Sequence, residues 1–177
     1  GLINGVSYLV DIAEQLKRIN SDVKIVAIGH GYEWNKVKHL AEAKGLLNDN
    51  FFIYSSMPKS ELVNAFAAAT FGFSLFVDLK EMEANSANKF FDTLASATPI
   101  LINYGGWQAE IISECKAGKQ LSRDPQLAAE YIEEKSKDMD YLERTSHASR
   151  KLAENRFSRD ILAGKLEKVL IEAFNSK

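Results

Sequence analysis

Short β-branched or aromatic runs alternate with helix-period segments along almost the whole chain, and this alternation constrains the fold more than any other feature. Apolar residues at Leu9, Val10, Ala13, Leu16 and Ile19 stripe one face of a helix that begins near Val6. Asn20-Ser21-Asp22 interrupts it, and Val23 to Ile28 reads as a strand ending at Gly29-His30-Gly31. Trp34, Val37, Leu40 and Ala41 restart the helical spacing, with Gly45 placed as a C-cap glycine after Lys44. Phe51 to Tyr54 is the next strand, and Pro58 opens a helix carrying Leu62, Val63 and Phe66. Strands over Phe71 to Val77, Thr98 to Ile102 and Gly118 to Leu121 then alternate with helices over Asn88 to Ser96 and Trp107 to Glu114. Everything after Asp124 is helical in pattern, so residues 124–177 form a mostly helical C-terminal segment of one domain spanning 1–177.

Near-continuous apolar strands between helices indicate a parallel sheet covered on both faces. The expected fold is therefore α/β, a Rossmann-like doubly wound parallel sheet with helices on both faces. In such a sheet the first strand is central, because later strands wind outward from it on both sides. Here the pattern starts at a helix, so the first strand is expected upstream of Gly1, and the chain reads as a piece of something longer. Without that strand, Val23 to Ile28 and Phe71 to Phe76 would either lie unpaired along an edge or pair directly. A borrowed strand or self-association would be a further way to satisfy exposed edges.

Composition narrows the function classes. Lys and Arg number 22 against 24 Asp and Glu, a net charge of −2 spread evenly along the chain, which gives no field for nucleic acid. A single cysteine, Cys115, forms no internal disulfide and fits a reducing cytoplasmic setting. No apolar run reaches the roughly 18 residues of a membrane span, so membrane contact would be peripheral. His30, His39 and His147 are scattered, and no metal-ligand spacing occurs.

Ligands of open α/β sheets bind outside the carboxyl ends of the strands. Three segments lie there. Gly29-His30-Gly31-Tyr32-Glu33 is a glycine turn feeding a helix N-terminus, where backbone can approach an anion; a simple turn reads the same way. Tyr54-Ser55-Ser56-Met57-Pro58 is a second strand-to-helix connection. The third, Asp78 to Lys89, is long and polar, and long loops on a rigid scaffold tend to carry function. Ser86 or Asn88 would cap the helix that follows, Lys89 would neutralise phosphate and Asp92 would accept from sugar hydroxyls. A well-capped surface helix accounts for the same residues without a ligand.

Asn85-Ser86-Ala87-Asn88-Lys89-Phe90-Phe91-Asp92-Thr93-Leu94-Ala95-Ser96-Ala97-Thr98-Pro99-Ile100 resembles the signature of family-4 glycosyltransferases, in their bacterial surface-polysaccharide branch. Asn4-Gly5 resembles the Lys-Gly that opens the first helix of that family, and Gly29-His30-Gly31-Tyr32-Glu33 its Gly-x-Gly-x-Glu turn. Asn103 to Ile111 and Phe157-Ser158 fit in the same order.

The resemblance implies the C-terminal, donor-binding half of a GT-B enzyme. It would be part of a retaining, metal-independent hexosyltransferase that moves a sugar from a nucleoside-diphosphate sugar to a glycan or lipid-linked acceptor. No cofactor is implied beyond the UDP- or GDP-sugar substrate. By position, Asp92 takes the ribose role and Ser86, Asn88 and Lys89 receive the diphosphate, Lys89 as the catalytic counter-charge. Gly29, His30, Gly31, Tyr54, Ser55 and Met57 approach the base or phosphates. The family's first glutamate falls at Ala84, which leaves Glu83 or Asn85 for the donor sugar. Asn4 stands where a phosphate-binding Lys is usual. The acceptor domain would lie N-terminal to this chain, and the whole enzyme would be cytoplasmic or peripheral to the inner membrane. A sugar-nucleotide epimerase of the same architecture and a non-catalytic Rossmann-like interaction module are the alternatives.

Overall fold

The computed structural model describes residues 2–176. Helices α1 (Ser7–Arg18), α2 (Trp34–Ala43), α3 (Lys59–Ala68), α4 (Asn88–Ala95) and α5 (Trp107–Cys115) alternate with strands β1 (Ile25–Ile28), β2 (Phe51–Tyr54), β3 (Gly72–Ser74), β4 (Ile100–Ile102) and β5 (Gly118–Gln120). Helices α6 (Pro125–Ser136), α7 (Met139–Phe157) and α8 (Arg159–Asn175) complete the chain.

Every strand pair is parallel: Ile25 to Ile28 faces Phe51 to Tyr54, Gly72 to Ser74 faces Ile100 to Ile102, and Ile100 to Ile102 faces Gly118 to Gln120. Side chains of β4 sort the helices into two layers, because successive residues of a strand point to opposite faces. Leu101 joins the core made by Leu9, Ile12 and Leu16 of α1 with Ala128 and Ile132 of α6. Ile100 and Ile102 join the opposite core, made by Phe90 and Leu94 of α4, Ile112 of α5 and Leu152 of α7. Helices on both faces of a parallel sheet are the doubly wound arrangement that the alternation implies.

The sheet is split. Order β1-β2 forms one piece and β3-β4-β5 the other, with no ladder between β1 and β3. Direct pairing of those two strands, one of the expected outcomes, does not occur. The N-terminal turn keeps them apart at the carboxyl end: the Val77 amide donates to the Ile3 carbonyl (3.0 Å), and Gly5 packs so tightly that a Cβ there would stand 3.0 Å from the Phe76 carbonyl carbon. The strand expected upstream of Gly1 lies outside the described residues.

Several elements are shorter than their apolar runs. The run from Phe71 to Val77 contributes only three ladder residues. Beyond them the Asn103 side chain replaces a neighbouring backbone, its Oδ1 accepting from the Phe76 amide (2.9 Å) and its Nδ2 donating to the Phe76 carbonyl (3.0 Å). Gly45 ends α2 as expected, with φ at +63°. Asp124, Asp138 and Ser158 cap α6, α7 and α8 through their side chains. Helix α8 buries none of its residues and leaves Leu166, Val169, Leu170 and Phe174 exposed.

Gly118 permits the β4–β5 pairing, since a Cβ there would meet the Ile100 carbonyl oxygen at 1.9 Å. Gly118→Ala is expected to lower stability by about 3 kcal/mol through this overpacking, read as a shift of the urea unfolding midpoint. An unchanged midpoint would show that β5 is not held against β4 in this register.

Candidate functional site

Parallel β1 delivers Gly29-His30-Gly31 to the carboxyl edge, where the Gly29 amide donates to the Tyr54 carbonyl at the end of β2 (3.0 Å). Nothing stands within 4 Å of where a Cβ would sit on Gly29 or Gly31, so these glycines leave open space rather than fill a tight contact. That space is a cavity of about 200 Å³ whose wall includes Asn4, Gly29, His30, Gly31, Glu33 and Lys89. Ala27, Val37 and Ile53 give it an apolar floor.

Lys89 reaches the cavity from the first turn of α4. Its Nζ donates to Asn4 Oδ1 (2.9 Å) and lies 5.3 Å from the centre of the Phe76 ring. Both partners are electron-rich but neutral, and among the described residues no carboxylate lies within 4 Å of Lys89. Burial therefore pushes its pKa below the ordinary ammonium value. An ammonium held this way gains from an anion entering the cavity.

Glu33 lines the same cavity as the residue preceding α2, its side chain 12% exposed. One carboxylate oxygen, Oε1, lies 3.9 Å from Lys36 Nζ, while the buried Oε2 has no hydrogen-bond partner. A carboxylate oxygen in that state suits a hydroxyl or N–H donor from a ligand. The sequence reading assigned Glu33 no role. The Gly-x-Gly-x-Glu pattern was its only signal, and burial of the acid is a tertiary fact.

Asp92 stands one turn further along α4 and does not line this cavity. Its Oδ1 pairs with Lys59 Nζ at 2.9 Å, joining the start of α3 to α4. Lys59 is 76% exposed, so the pair is weak and leaves Asp92 available to a competing hydrogen-bond donor. Exposed Tyr54 ends β2, and exposed Ser55 and half-buried Met57 lie on the loop that runs from it to Lys59, the partner of Asp92.

The cap of α4 differs from the expected one. Ala87 occupies the N-cap, no side chain caps the helix, and Asn88 is its first helical residue. Ser86 and Asn88 are both exposed and neither serves as the cap. The loop is instead folded by Asn85, whose Oδ1 accepts from the Ala87 amide (3.2 Å), whose Nδ2 donates to the Met82 carbonyl, and whose carbonyl accepts from Trp107 Nε1 (2.9 Å). Glu83 sits on a 3₁₀ turn (Lys80–Ala84) against Gly105 and Gly106; a Cβ on Gly105 would be 3.3 Å from its Oε1. Glu83 and Asn85 thus flank the β4–α5 turn, apart from the Lys89 cavity. Half-buried Trp107 packs its ring among those of Phe90, Phe91 and Phe157.

No family model matches the chain, and no curated protein matches it. Solved structures do. A glycosyltransferase from Rickettsia africae ESF-5 superposes with a TM-score of 0.79 at 17% identity, covering 99% of this chain and 46% of that one. TarM from S. aureus, as a mutant in complex with Fondaparinux, alpha-GlcNAc-glycerol and UDP, gives a TM-score of 0.72 at 19% identity, covering 93% of this chain and 32% of that one. A protein from Listeria monocytogenes described as a UDP-N-acetylglucosamine 2-epimerase gives 0.58 at 12% identity, covering 97% of this chain and 42% of that one. The chain therefore has the Rossmann-like fold of a GT-B half-domain, and it spans less than half the length of each of these neighbours.

A buried cation without an anion costs folding energy, and Lys89→Met removes that cost at similar volume. The variant is expected to be more stable by about 1 kcal/mol in denaturant titrations at neutral pH. The sign follows from linkage. With its folded-state pKa depressed, Lys89 makes the parent gain stability as pH rises from that depressed value toward the ordinary 10.5, a gain the variant lacks. Loss of stability in Lys89→Met at neutral pH would mean that the ammonium already has an adequate partner.

Proposed function

We propose that the chain is the donor-binding domain of a retaining glycosyltransferase that uses a nucleoside-diphosphate sugar. The observation that carries this reading is the buried Lys89 ammonium, without a carboxylate partner, facing the Gly29–Gly31 turn across an open cavity. The diphosphate enters that cavity and meets Lys89 and the backbone amides of the turn. Asp92 exchanges Lys59 for the ribose hydroxyls, and the base lies over Tyr54, Ser55 and Met57. Glu33 Oε2 accepts from a hydroxyl or N–H of the same ligand. When the bond from the anomeric carbon to the diphosphate oxygen breaks, negative charge grows on the leaving phosphate. Lys89 and the oriented amides stabilise that charge without reorganising.

The TM-scores to the two glycosyltransferases, one of them solved with UDP, exceed that to the epimerase, and this supports a transferase over an epimerase. Both classes would bind the same donor at the same edge, and assay of a full-length protein for sugar transfer or C2 inversion separates them. The reading assigns the acceptor site, glycan or lipid-linked, to polypeptide outside this chain. Among the described residues no helix is long and apolar enough to cross a membrane.

Calorimetry with UDP, GDP, uridine and guanosine tests the assignment. Lys89→Met is expected to weaken the diphosphates strongly and the nucleosides little; equal losses would place Lys89 at the base instead. Asp92→Asn is expected to cost about 1.5–3 kcal/mol of nucleotide affinity, the worth of a charge-assisted hydrogen bond. Unchanged affinity in that variant would remove Asp92 from the ribose site. With donor and acceptor supplied, the chain alone is expected to bind nucleotide and transfer no sugar.

A further inference from the structure

The Lys89 ammonium is held by two uncharged groups, and one of them is an aromatic ring. Its Nζ donates to Asn4 Oδ1 (2.9 Å) and stands over the Phe76 ring, 5.3 Å from its centre. Phe76 is itself fixed from several sides. Its amide donates to Asn103 Oδ1 (2.9 Å), and its carbonyl accepts from Asn103 Nδ2 (3.0 Å) and Arg123 Nη1 (3.1 Å). Its ring meets that of Tyr104 edge to face, with centres 5.0 Å apart and planes at 74°. Tyr104 is anchored in turn, its hydroxyl lying 2.9 Å from Ser74 Oγ and donating to Gln108 Oε1 (2.6 Å). Phe76, Asn103, Tyr104 and Gln108 are all buried.

The backbone clamp accounts for the place of residue 76 but not for its side chain. A leucine would accept the same backbone bonds and fill an apolar core position as well. What a ring adds is a quadrupole whose negative face attracts a cation within about 6 Å, most strongly where water is excluded. That attraction differs in kind from an ion pair. A carboxylate in the same place would neutralise Lys89 and compete with an entering anion, whereas a ring offsets part of the desolvation of the ammonium and leaves its charge unspent.

We infer that Phe76 is a positioning residue: its ring, locked by Asn103 and Tyr104, joins the Asn4 amide in an uncharged cradle that holds the Lys89 ammonium at the cavity with its charge free for an anion. That this anion is a nucleotide's diphosphate rests on the function proposed above, whereas the cradle exists without ligand. Other titratable groups stand around it. Glu33 and His30 line the cavity, Asp92 further along α4 is paired with Lys59, and Arg123 on the Phe76 carbonyl is paired with Asp78 (3.3 Å). All of these and Tyr104 are kept in the variants below, so differences among those variants belong to the ring at position 76.

Fluorination of the Phe76 ring tests this, because each fluorine withdraws electron density from the ring face and barely changes its shape. The chain is prepared with Phe76→4-fluoro-Phe, with Phe76→3,5-difluoro-Phe and with Phe76→Leu, each labelled with carbon-13 in its lysines. The Lys89 Cε resonance, assigned by its loss in Lys89→Met, is followed by NMR through a pH titration without ligand. The pKa of Lys89 is expected to fall stepwise with each added fluorine, and by about one pH unit in Phe76→Leu. UDP affinity is expected to lose its Lys89-dependent part at correspondingly lower pH, with uridine as the control for titration of the base. A Lys89 titration that fluorination leaves unmoved, whatever Phe76→Leu does, would overturn the proposal and show that Phe76 only fills space. A pKa that rises along the series would overturn it too, since the ring would then oppose the ammonium. Should Lys89 follow the series while UDP affinity does not, the cradle stands and the diphosphate assignment fails.

Discussion

In a parallel sheet every strand ends on the same side, and here that constraint assembles the chemistry. Strands β1, β2, β3 and β4 bring Gly29, Tyr54, Phe76 and Asn103 to one edge. Each helix must then begin near that edge to return the chain, so the residue before α2 and the first turns of α3 and α4 contribute Glu33, Lys59 and Lys89 to it. The cavity between Gly29 and Lys89 lies at the carboxyl edge, beside the N-terminal turn that keeps the two sheet pieces apart. Asn4, on the turn whose Ile3 carbonyl is bonded to Val77, closes it from the N-terminal side and holds the Lys89 ammonium.

The electrostatics of the edge divide into two parts. Inside the cavity, Lys89 has a charge and no anion, while Glu33 has a buried oxygen and no donor. Outside it, half-buried Asp92 pairs with exposed Lys59, a contact that screening keeps weak. A ligand with a negative centre, hydroxyl donors and a flat polar end would satisfy all three sites at once. The proposed nucleoside diphosphate carries a negative centre that would meet Lys89 and hydroxyl donors that would meet Glu33 and Asp92.

Much of the fold was legible because the apolar periods switch cleanly between strand and helix, and Gly45 marks the end of α2 where the spacing places it. Strand lengths were not legible: from Phe71 to Val77 the residues are uniformly apolar, yet the ladder ends at Ser74 and Asn103 takes over through its side chain. The split between β1 and β3 was foreseen as one outcome, since edge pairing is decided by what lies between the strands and not by their composition. At the site, the glycine turn and Lys89 were recognisable from local pattern and fall in one cavity. The Asp92–Lys59 pair and the orphaned Glu33 oxygen depend on contacts between distant segments, which no spacing encodes. The cap of α4 misled for a local reason: Ser86 and Asn88 are both good capping residues, but Asn85 folds the loop so that Ala87 stands at the cap position.

A crystal structure of the chain with UDP or GDP tests the central claim most directly. The account predicts diphosphate oxygens within hydrogen-bond distance of Lys89 Nζ and of the Gly29–Gly31 backbone, with Asp92 released from Lys59 and turned to the ribose. A nucleotide seated elsewhere on the molecule, with Lys89 still bonded only to Asn4, would contradict it.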